Sequence, residues 1–253
     1  MSTPAVNPED NQLLAHLPSQ ELDTLRPHFK VISLETREEL NQVGTPVIHI
    51  HFPITGAISL MEMKAAGTTV EVAVVGKEGC AGSHVLDGLN VSPCRTIVQI
   101  GGMAFRMTVP QLRPLLPHIP VFQQMARRFG TVVFRHTVIS VGCSQFHSVE
   151  QRMARWLLAH RQRTGLKEFP FTHDFLAEQL GVQRVTVTQA LAALQDRALV
   201  THGYGKLELL DIGGMQKAAC ECLTMATEAI EEYLADIKIL GKGSQSEKPG
   251  SSN

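Results

Sequence analysis

The 253-residue sequence predicts an α+β protein with a β-rich N-terminal half, a long connecting helix and a C-terminal half built on two short helices and a hairpin. Three observations predict this fold class. Short apolar runs separated by glycines fill residues 31–107, a regular three-four apolar spacing runs through 122–143, and helical patterns flank Gly181. No apolar run approaches the roughly 20 residues that would span a bilayer.

The N-terminal half begins with two predicted helices, at 12–17 and from Ser19 to about residue 29, with Ser19 as the N-cap of the second. The pattern then changes to short apolar runs between glycine turns, at 47–48, 58–61, 70–75 and 96–100, with one of the turns at Gly67. Such strands predict a jelly-roll-like β-roll. The predicted β-roll domain spans residues 1–115.

Residues 171–200 predict a helix-turn-helix. Thr172 is placed as the N-cap of the first helix, and the second helix is expected from about 183 to 197. Gly181 stands where the sharp turn needs a residue without Cβ. Two apolar runs around a glycine turn follow at 199–209 and predict a β-hairpin, which would make the unit a winged helix. The alternative is a helical hairpin in the core of an unrelated domain.

The outward face of the second helix carries side chains that suit DNA, because Arg reads guanine, Gln reads adenine and Thr reaches phosphates or bases. The predicted DNA-binding residues are Thr172, Gln183, Arg184, Val185, Thr186, Thr188, Gln189, His202 and Lys206.

The segment QLGVQRVTVTQALAALQDRALV with its wing resembles the DNA-binding domain of the Crp/Fnr family of bacterial transcription regulators. The resemblance implies a cytoplasmic, non-enzymatic homodimer that binds a pseudo-palindromic site in double-stranded DNA, with RNA polymerase as a further candidate partner. By position, Arg184 matches the base reader, and Thr172 and Thr186 match phosphate contacts. Val185 and Gln189 depart from the cyclic-AMP receptor, so a different operator is expected.

The connecting segment 116–145 is the predicted dimerisation helix and hinge. Its apolar residues form a heptad seam, as a dimer-forming helix requires. The seven residues are Phe122, Met125, Phe129, Val132, His136, Ile139 and Cys143. The alternative is a helix that packs on its own β-roll. The hinge is placed at Ser144 and Gln145.

The remaining segments are a second helix at 147–163 leading into a winged domain at 146–211, a C-terminal helix at 212–240, and a polar, disordered tail at 241–253. Residues 121–163 hold seven basic and one acidic side chain. Four of the arginines are expected to help hold DNA phosphates, whereas three are expected to be solvated. The first group is Arg152, Arg155, Arg161 and Arg163, and the second is Arg127, Arg128 and Arg135.

The β-roll of the family is a sensory, cyclic-nucleotide-binding-type domain, which places candidate effector residues here at Gly76, Glu78, Gly79, Arg95 and Thr96. Ala81 stands where the ribose-binding Glu is expected, unless a register shift lets Glu78 serve. A 2′-hydroxyl without its acceptor loses a hydrogen bond, so cyclic nucleotide is disfavoured and no cofactor is assigned. A constitutive regulator with a ligandless sensor is the first alternative.

His49 and His51 share one face of a strand, as in the two-histidine metal motif of cupin enzymes, which is the enzyme-class alternative. Thr55 and Gly56 stand where the motif's Glu belongs, so no metal site is predicted. The five cysteines are expected to be reduced thiols. Because no cysteine precedes Cys80, a cluster of the kind that holds iron and sulfur at the N-terminus is excluded. Cys220 and Cys222 are expected on different sides of a helix, and thiol-based redox sensing stays a lesser alternative.

Overall fold

The computed structural model describes residues 6–63, 68–203 and 205–243, so Gly67 and Tyr204 lie outside the described residues. It confirms the α+β class. Helices α1 (Gln12–Ala15) and α2 (Ser19–Leu25) precede seven strands. The strands are β1 (Lys30–Leu34), β2 (Glu39–Asn41), β3 (His49–Pro53), β4 (Ala57–Met63), β5 (Thr69–Val75), β6 (Arg95–Ile100) and β7 (Gly102–Thr108).

The seven strands form two antiparallel sheets, one ordered β1-β7-β3 and the other β2-β6-β4-β5. Residues from both sheets, such as Phe52 and Phe105 in the first and Ile58 and Val98 in the second, join one buried core. In β7 the buried residues are Ala104, Phe105 and Met107, and all three belong to this core. The predicted β-roll is therefore two sheets around a single core.

The N-terminal helices are fixed by Asn11 and not by the predicted cap at Ser19. Asn11 is fully buried, its Oδ1 accepts from the Leu14 amide at 3.2 Å, and its side-chain amide donates to the carbonyls of Pro53 and Gly79 at 2.9 Å each. Ser19 is the first residue of α2, after Pro18, and that helix end has no side-chain cap. Asn11 therefore ties α1 to the β-roll.

A short helix α3 (Val109–Leu112) leads to the long helix α4 (Pro120–Phe146), which lies where the dimerisation helix was predicted. The seven seam residues, however, are all buried within this chain, against the β-roll and the C-terminal helix α9 (Cys222–Gly243). The prediction that these residues form the dimer interface is wrong. A heptad seam can be buried by any helix that packs along it, and here α9 of the same chain does so. The residues are Phe122, Met125, Phe129, Val132, His136, Ile139 and Cys143.

Helix α9 runs antiparallel to α4. His136 Nε2 lies 3.1 Å from the Ala226 carbonyl oxygen near one end, and the rings of Phe129 and Tyr233 have centroids 5.5 Å apart further along. Burial lowers the pKa of His136 to about 4, so the imidazole is neutral at physiological pH. His136 is thus a satisfied core histidine.

The three arginines expected to be solvated form exposed ion pairs. Arg127 pairs with Asp87, Arg128 with Asp236 and Arg135 with Glu232, so two of them also join α4 to α9.

The helical break lies two residues beyond the predicted hinge. Ser144 and Gln145 belong to α4, and His147 has extended backbone before Ser148 begins α5 (Val149–Thr164). Ser148 and Gln151 form a capping box, since each side chain accepts from the backbone N–H of the other. This reciprocal cap starts a new helix and moves the break away from Ser144.

The C-terminal half continues with β8 (Glu168–Phe169), α6 (His173–Leu180), α7 (Arg184–Asp196), β9 (Val200–Gly203), β10 (Lys206–Leu209) and α8 (Ile212–Ala218) before α9. The single helix predicted at 212–240 is therefore two helices. Residues 241–243, predicted as part of a disordered tail, belong to α9, where Gly241 is buried and packs closely against the His16 carbonyl. Residues 244–253 lie outside the described part. Among described residues, none of the helices is long and apolar enough to cross a bilayer.

Candidate nucleic-acid interface

Helices α6 and α7 form the predicted helix-turn-helix. Thr172 Oγ1 accepts from the Phe175 amide at 3.2 Å, which confirms this residue as the N-cap. Gly181 ends α6 with φ of +64°, the left-handed conformation that favours glycine. Leu176, Val187 and Leu191 are buried between the two helices and hold their angle. The local sequence thus fixes both the start of α6 and the turn into α7.

A cluster of aromatic rings packs against the buried side of the two helices. Phe171 stacks on Phe175 with centroids 5.0 Å apart, and Trp156 of α5 meets Phe171 at 5.1 Å. His160 lies 3.6 Å from the Trp156 ring, and burial lowers the pKa of His160 to about 3. A neutral imidazole packs among these rings without a buried charge. The helix pair therefore packs on a buried cluster of aromatic side chains.

The outward face of α7 is exposed to solvent in the described part of the chain. Gln183, at the N-cap position, and Arg184, Val185, Thr188 and Gln189 are exposed, and Thr186 is half-buried. Arg184 Nε lies 3.6 Å from Asp174 Oδ1, and both side chains are about two-thirds exposed. Such an exposed pair is weak, so the guanidinium is held in place but remains available. The predicted readers of this helix therefore share one accessible surface at its N-terminal end.

Among the predicted DNA-reading residues of α7, Thr188 is one whose side chain contacts neighbouring residues of this chain. Its Oγ1 donates to the Arg184 carbonyl at 3.1 Å and also lies 2.9 Å from His173 Nδ1. The ring of His173 in turn lies 4.6 Å from the ring of predicted wing residue His202. Burial, with the charges of His202 and Arg184, lowers the pKa of His173. The sequence analysis did not single out His173, although its position next to the Thr172 cap was a signal for it.

The wing consists of the antiparallel strands β9 and β10, with β8 pairing to the other side of β10. The predicted hairpin is confirmed. Lys206 is exposed and its Nζ donates to Glu168 Oε1 at 2.6 Å, and this hydrogen bond raises the pKa of Lys206. Lys206 is therefore a cation at neutral pH on the outer surface of the wing.

The arginines of α5 expected at DNA phosphates instead face the interior. Arg152 donates to the Leu180 carbonyl, and Arg163 lies 3.7 Å from the buried Glu78. The charges of Arg155 and Arg163 also act on Glu71 of β5, and Arg161 has a buried Nε. The prediction is wrong for Arg152, Arg155 and Arg163, because the β-roll supplies the acidic partners Glu71 and Glu78 and α6 supplies a carbonyl on that side of α5.

A polar contact joins the β-roll to the helix-turn-helix. Glu71 accepts from Ser59 Oγ at 2.7 Å, from Trp156 Nε1 at 2.9 Å and from the Gln99 amide. Gln179 of α6 is buried beside this group, with Oε1 3.2 Å from Gln99 Nε2. Burial raises the pKa of Glu71 to about 7. Sequence reasoning missed this contact because its members come from five separate elements.

The predicted effector residues do not converge. A cavity of about 240 Å³ lies between the β-roll and α4, and of the five only Thr96 lines it. Arg95 instead pairs with Glu39 at 2.5 Å. Glu78 is buried and accepts from the Gly76 amide at 2.9 Å, which removes it as a ribose acceptor.

Gly79 is required for packing, because a Cβ there would lie 2.2 Å from the Phe129 ring. Ala81 lines the cavity, together with polar groups that include Ser83, His84, Asp87 and Arg127. The cavity thus lies near the predicted cassette but is lined mostly by other residues.

His49 and His51 lie on one face of β3 with ring centroids 5.9 Å apart. Burial lowers the pKa of His51 to about 4. Within the described ranges, the only group of three or more potential ligands is Cys143, Cys220 and Cys222, so the histidine pair has no third ligand. The cupin-like arrangement is therefore incomplete.

The fold and the exposed α7 face define a class of protein: a β-roll joined by a long helix to a winged helix-turn-helix of the kind that binds DNA. Residues 151–218 match the family model of the Crp-like helix-turn-helix domain. Over 62 residues the chain is 39% identical to the Transcriptional regulator SdrP of Thermus thermophilus, a match that covers 24% of this chain and 30% of that protein.

Solved structures share the overall fold. FixK2 from Bradyrhizobium japonicum is 15% identical with a TM-score of 0.63, over 76% of this chain and 98% of its own. A regulator of the crp/fnr family from Eubacterium rectale is 13% identical with a TM-score of 0.65, over 81% and 96%. Both structures are less than 25% identical to the chain and show a shared fold, whereas residues 151–218 are similar to the Crp-like helix-turn-helix domain itself.

Proposed function

We propose that the protein is a cytoplasmic transcription regulator that binds a pseudo-palindromic DNA site as a homodimer. The observation that carries the proposal is the exposed N-terminal face of α7 within a Crp-like domain. In helix-turn-helix proteins the N-terminal residues of this helix contact base edges in the major groove. Arg184 lies at its first position and is more than two-thirds exposed.

The base contacts follow from the chemistry of this face. Arg184 suits a bidentate contact to guanine, Gln189 suits adenine, and Val185, which is 57% exposed, suits a thymine methyl group. Thr172, Thr186 and Lys206 are placed at phosphates, which position the domain without reading sequence. Because the α5 arginines face inward, fewer phosphate contacts are available than predicted, and a moderate salt dependence of binding is expected.

The proposed dimer uses the face of α4 opposite to α9. Four apolar side chains are exposed there, and together they form the α4 outer stripe: Phe134 (68%), Val138 (54%), Val141 (58%) and Phe146 (83%). Phe134, Val138 and Val141 are four and three residues apart, which keeps them on one side of the helix, and Phe146 adds apolar surface at the end of α4. We propose that a second copy of this chain covers the stripe, because a pseudo-palindromic site with half-sites about 34 Å apart requires two α7 helices.

The effector part of the proposal rests on the cavity between the β-roll and α4. Arg127 reaches this cavity from α4 and also pairs with Asp87, so a ligand there would contact the same helix that carries the outer stripe. Cyclic nucleotide remains disfavoured, because Arg95 is paired with Glu39 and no carboxylate takes the ribose position at Ala81. The same two observations favour a second candidate, a constitutive regulator whose sensor domain binds no ligand.

The test is selection of binding sites from random duplex DNA by the purified full-length protein without added ligand. An enriched palindrome with half-sites about one helical turn apart supports the regulator. Addition of cyclic AMP then tests the disfavoured ligand, because a changed affinity for the selected site would contradict the constitutive candidate. Failure to enrich any sequence, with and without cyclic AMP, contradicts the assignment of α7 as a reader. Contact with RNA polymerase is a later step of this proposal and would be measured on the selected site.

A further inference from the structure

Three cysteines converge at the junction between α4 and the C-terminal helices. Cys143 lies in the last turn of α4, Cys220 in the connection between α8 and α9, and Cys222 at the start of α9. Their Sγ atoms all lie within 4.8 Å of one another, and the three residues are 1–6% exposed. Three buried thiols from three segments thus point to one place.

The break between α8 and α9 makes this cluster. The sequence predicts Cys220 and Cys222 on different sides of one continuous helix, which disfavours a metal site there. The placement on different sides is wrong, because the helix is interrupted between Ala218 and Cys222. An irregular backbone at Cys220 allows both side chains of the Cys-x-Cys pair to reach Cys143.

The distances indicate metal ligands more than a disulfide. Cys143 Sγ and Cys220 Sγ are 3.5 Å apart, well beyond the roughly 2.05 Å of a disulfide. A tetrahedral zinc ion with bonds of about 2.3 Å would hold its sulfurs about 3.8 Å apart. A disulfide would use two of the thiols and leave the third without a role, whereas a thiolate-bound ion uses all three.

A cationic side chain lies near the three sulfurs. The charge of Arg155 acts on Cys143, Cys220 and Cys222. Arg152 also lies within electrostatic range of Cys143 and Cys220. Part of the charge of a thiolate set is therefore already balanced by cations.

We propose that Cys143, Cys220 and Cys222 bind one thiophilic metal ion per chain, with zinc as the ion that fits the sulfur spacing. Binding releases the remaining thiol protons, since the ligands are thiolates. The nearby His147 directs its Nε2 to Glu221 at 3.4 Å, so the three sulfurs are the ligands that the described residues supply. The ion would link the connection between α8 and α9, residues 219–221, to the end of α4. The winged helix-turn-helix lies between these attachment points, so a further consequence, which rests on the proposed function, is metal-dependent placement of α7.

The experiment is a titration of the reduced, metal-stripped full-length protein with zinc in competition with a chromophoric chelator, repeated with cobalt. We expect one ion per chain and a thiolate-to-cobalt charge-transfer band. Cys143→Ser, Cys220→Ser and Cys222→Ser should each weaken zinc binding by at least the roughly 10- to 100-fold that loss of an outer-shell partner costs. Cys94→Ser, a partly exposed thiol of the β-roll outside the cluster, is the matched control and should bind as wild type.

Absence of zinc binding to wild type, or unchanged binding in the three serine variants, overturns the site. So does a Cys143–Cys220 disulfide formed under mild oxidation by protein that binds neither metal. Should a serine variant fold poorly, the cobalt spectrum of wild type still tests for sulfur ligands. The titration contains no DNA, so its failure leaves the DNA-binding proposal standing, and failure of site selection leaves the titration valid.

Discussion

Arg184 is the residue on which sequence-specific recognition is expected to depend most. It is exposed at the start of α7 and is held only by a 3.6 Å contact with Asp174. We expect Arg184→Ala to weaken binding to the selected site by about 1–3 kcal/mol and to relax preference at one base pair. Gel-shift titrations on a panel of single-base variants of the site would measure both effects.

Lys30→Ala is the charge-matched control for this change, because Lys30 is exposed on β1 in the β-roll. Its affinity should equal that of wild type. An Arg184→Ala protein that keeps the wild-type base preference would remove Arg184 from the set of readers.

Glu71 is expected to make stability depend on pH. Burial raises its folded-state pKa from 4.5 to about 7, so the folded chain favours the protonated carboxyl. The stability it contributes is fully present below pH 4.5 and is lost as pH rises through 7, by about 3 kcal/mol in total. In Glu71→Gln this loss should be absent, as measured by urea unfolding from pH 4.5 to 8.

The buried histidines change stability in the opposite direction. Burial lowers the pKa values of His51 and His136 to about 4 and that of His160 to about 3, so their neutral forms lose stability as pH falls below 6.5. Only the difference between wild type and Glu71→Gln therefore isolates the carboxyl. A difference that stays constant over this range would contradict the raised pKa.

At the scale of elements, the turn between α6 and α7 depends on Gly181 for two reasons. Its φ is +64°, and a Cβ would lie 2.9 Å from Val70 of β5. Left-handed backbone costs an L-residue about 1–2 kcal/mol, and the contact with the β-roll adds to this. We therefore expect Gly181→Ala to lower the free energy of unfolding by more than that strain alone.

Gly165 provides the matched control, since it has φ of +72° at the end of α5 and nothing within 4 Å of its Cβ position. Gly165→Ala should show the backbone strain without the contact. Equal losses in the two variants, measured by chemical denaturation, would show that the approach of Val70 has no energetic effect.

Helix α4 has two functional faces, one covered by α9 and one bearing the α4 outer stripe. Burial of a large apolar side chain is worth about 1.5–3 kcal/mol, and a symmetric dimer buries each stripe residue twice. We expect Phe134→Glu to weaken dimerisation at least about 100-fold, as measured by analytical ultracentrifugation.

Ile239→Glu is the control for the dimer test, because Ile239 is also an exposed apolar residue, at 71%, but lies on α9. It should leave the dimer intact. A Phe134→Glu protein that remains dimeric at low concentration would locate the dimer interface elsewhere.

At the scale of the whole molecule, docking of the helix-turn-helix on the β-roll can be followed by the single tryptophan. Trp156 donates to Glu71 across this contact, and Gln179 is 2% exposed beside it. Gln179→Arg would force a longer side chain into a position that is 2% exposed, and such overpacking costs about 1–3 kcal/mol unless the contact opens. We expect red-shifted tryptophan emission and separate thermal unfolding of the two domains.

The neighbouring Glu178→Arg is the control, because Glu178 is exposed on the same helix. It should keep the wild-type emission spectrum and a single transition. Unchanged emission in Gln179→Arg would mean that the contact is not required to hold the domains together.

Local sequence was sufficient for the elements whose signals lie within a few residues. Thr172 and Gly181 define the ends of α6, and the hairpin is confirmed by β9 and β10. Short apolar runs between glycine turns likewise predicted the β-roll. Caps, turns and strand periods depend on each residue's own conformational preferences, so they can be predicted without knowledge of distant neighbours.

What covers an apolar face was decided only by the tertiary structure. The α4 seam was predicted correctly as a buried stripe, but its partners are the β-roll, the stated alternative, and α9, and not a second copy. The inward arginines of α5, the Glu71 contact and the three-cysteine cluster likewise join residues far apart in sequence. A periodic pattern specifies that a face must be buried, whereas its partner depends on chain geometry and on which charges and apolar surfaces then meet.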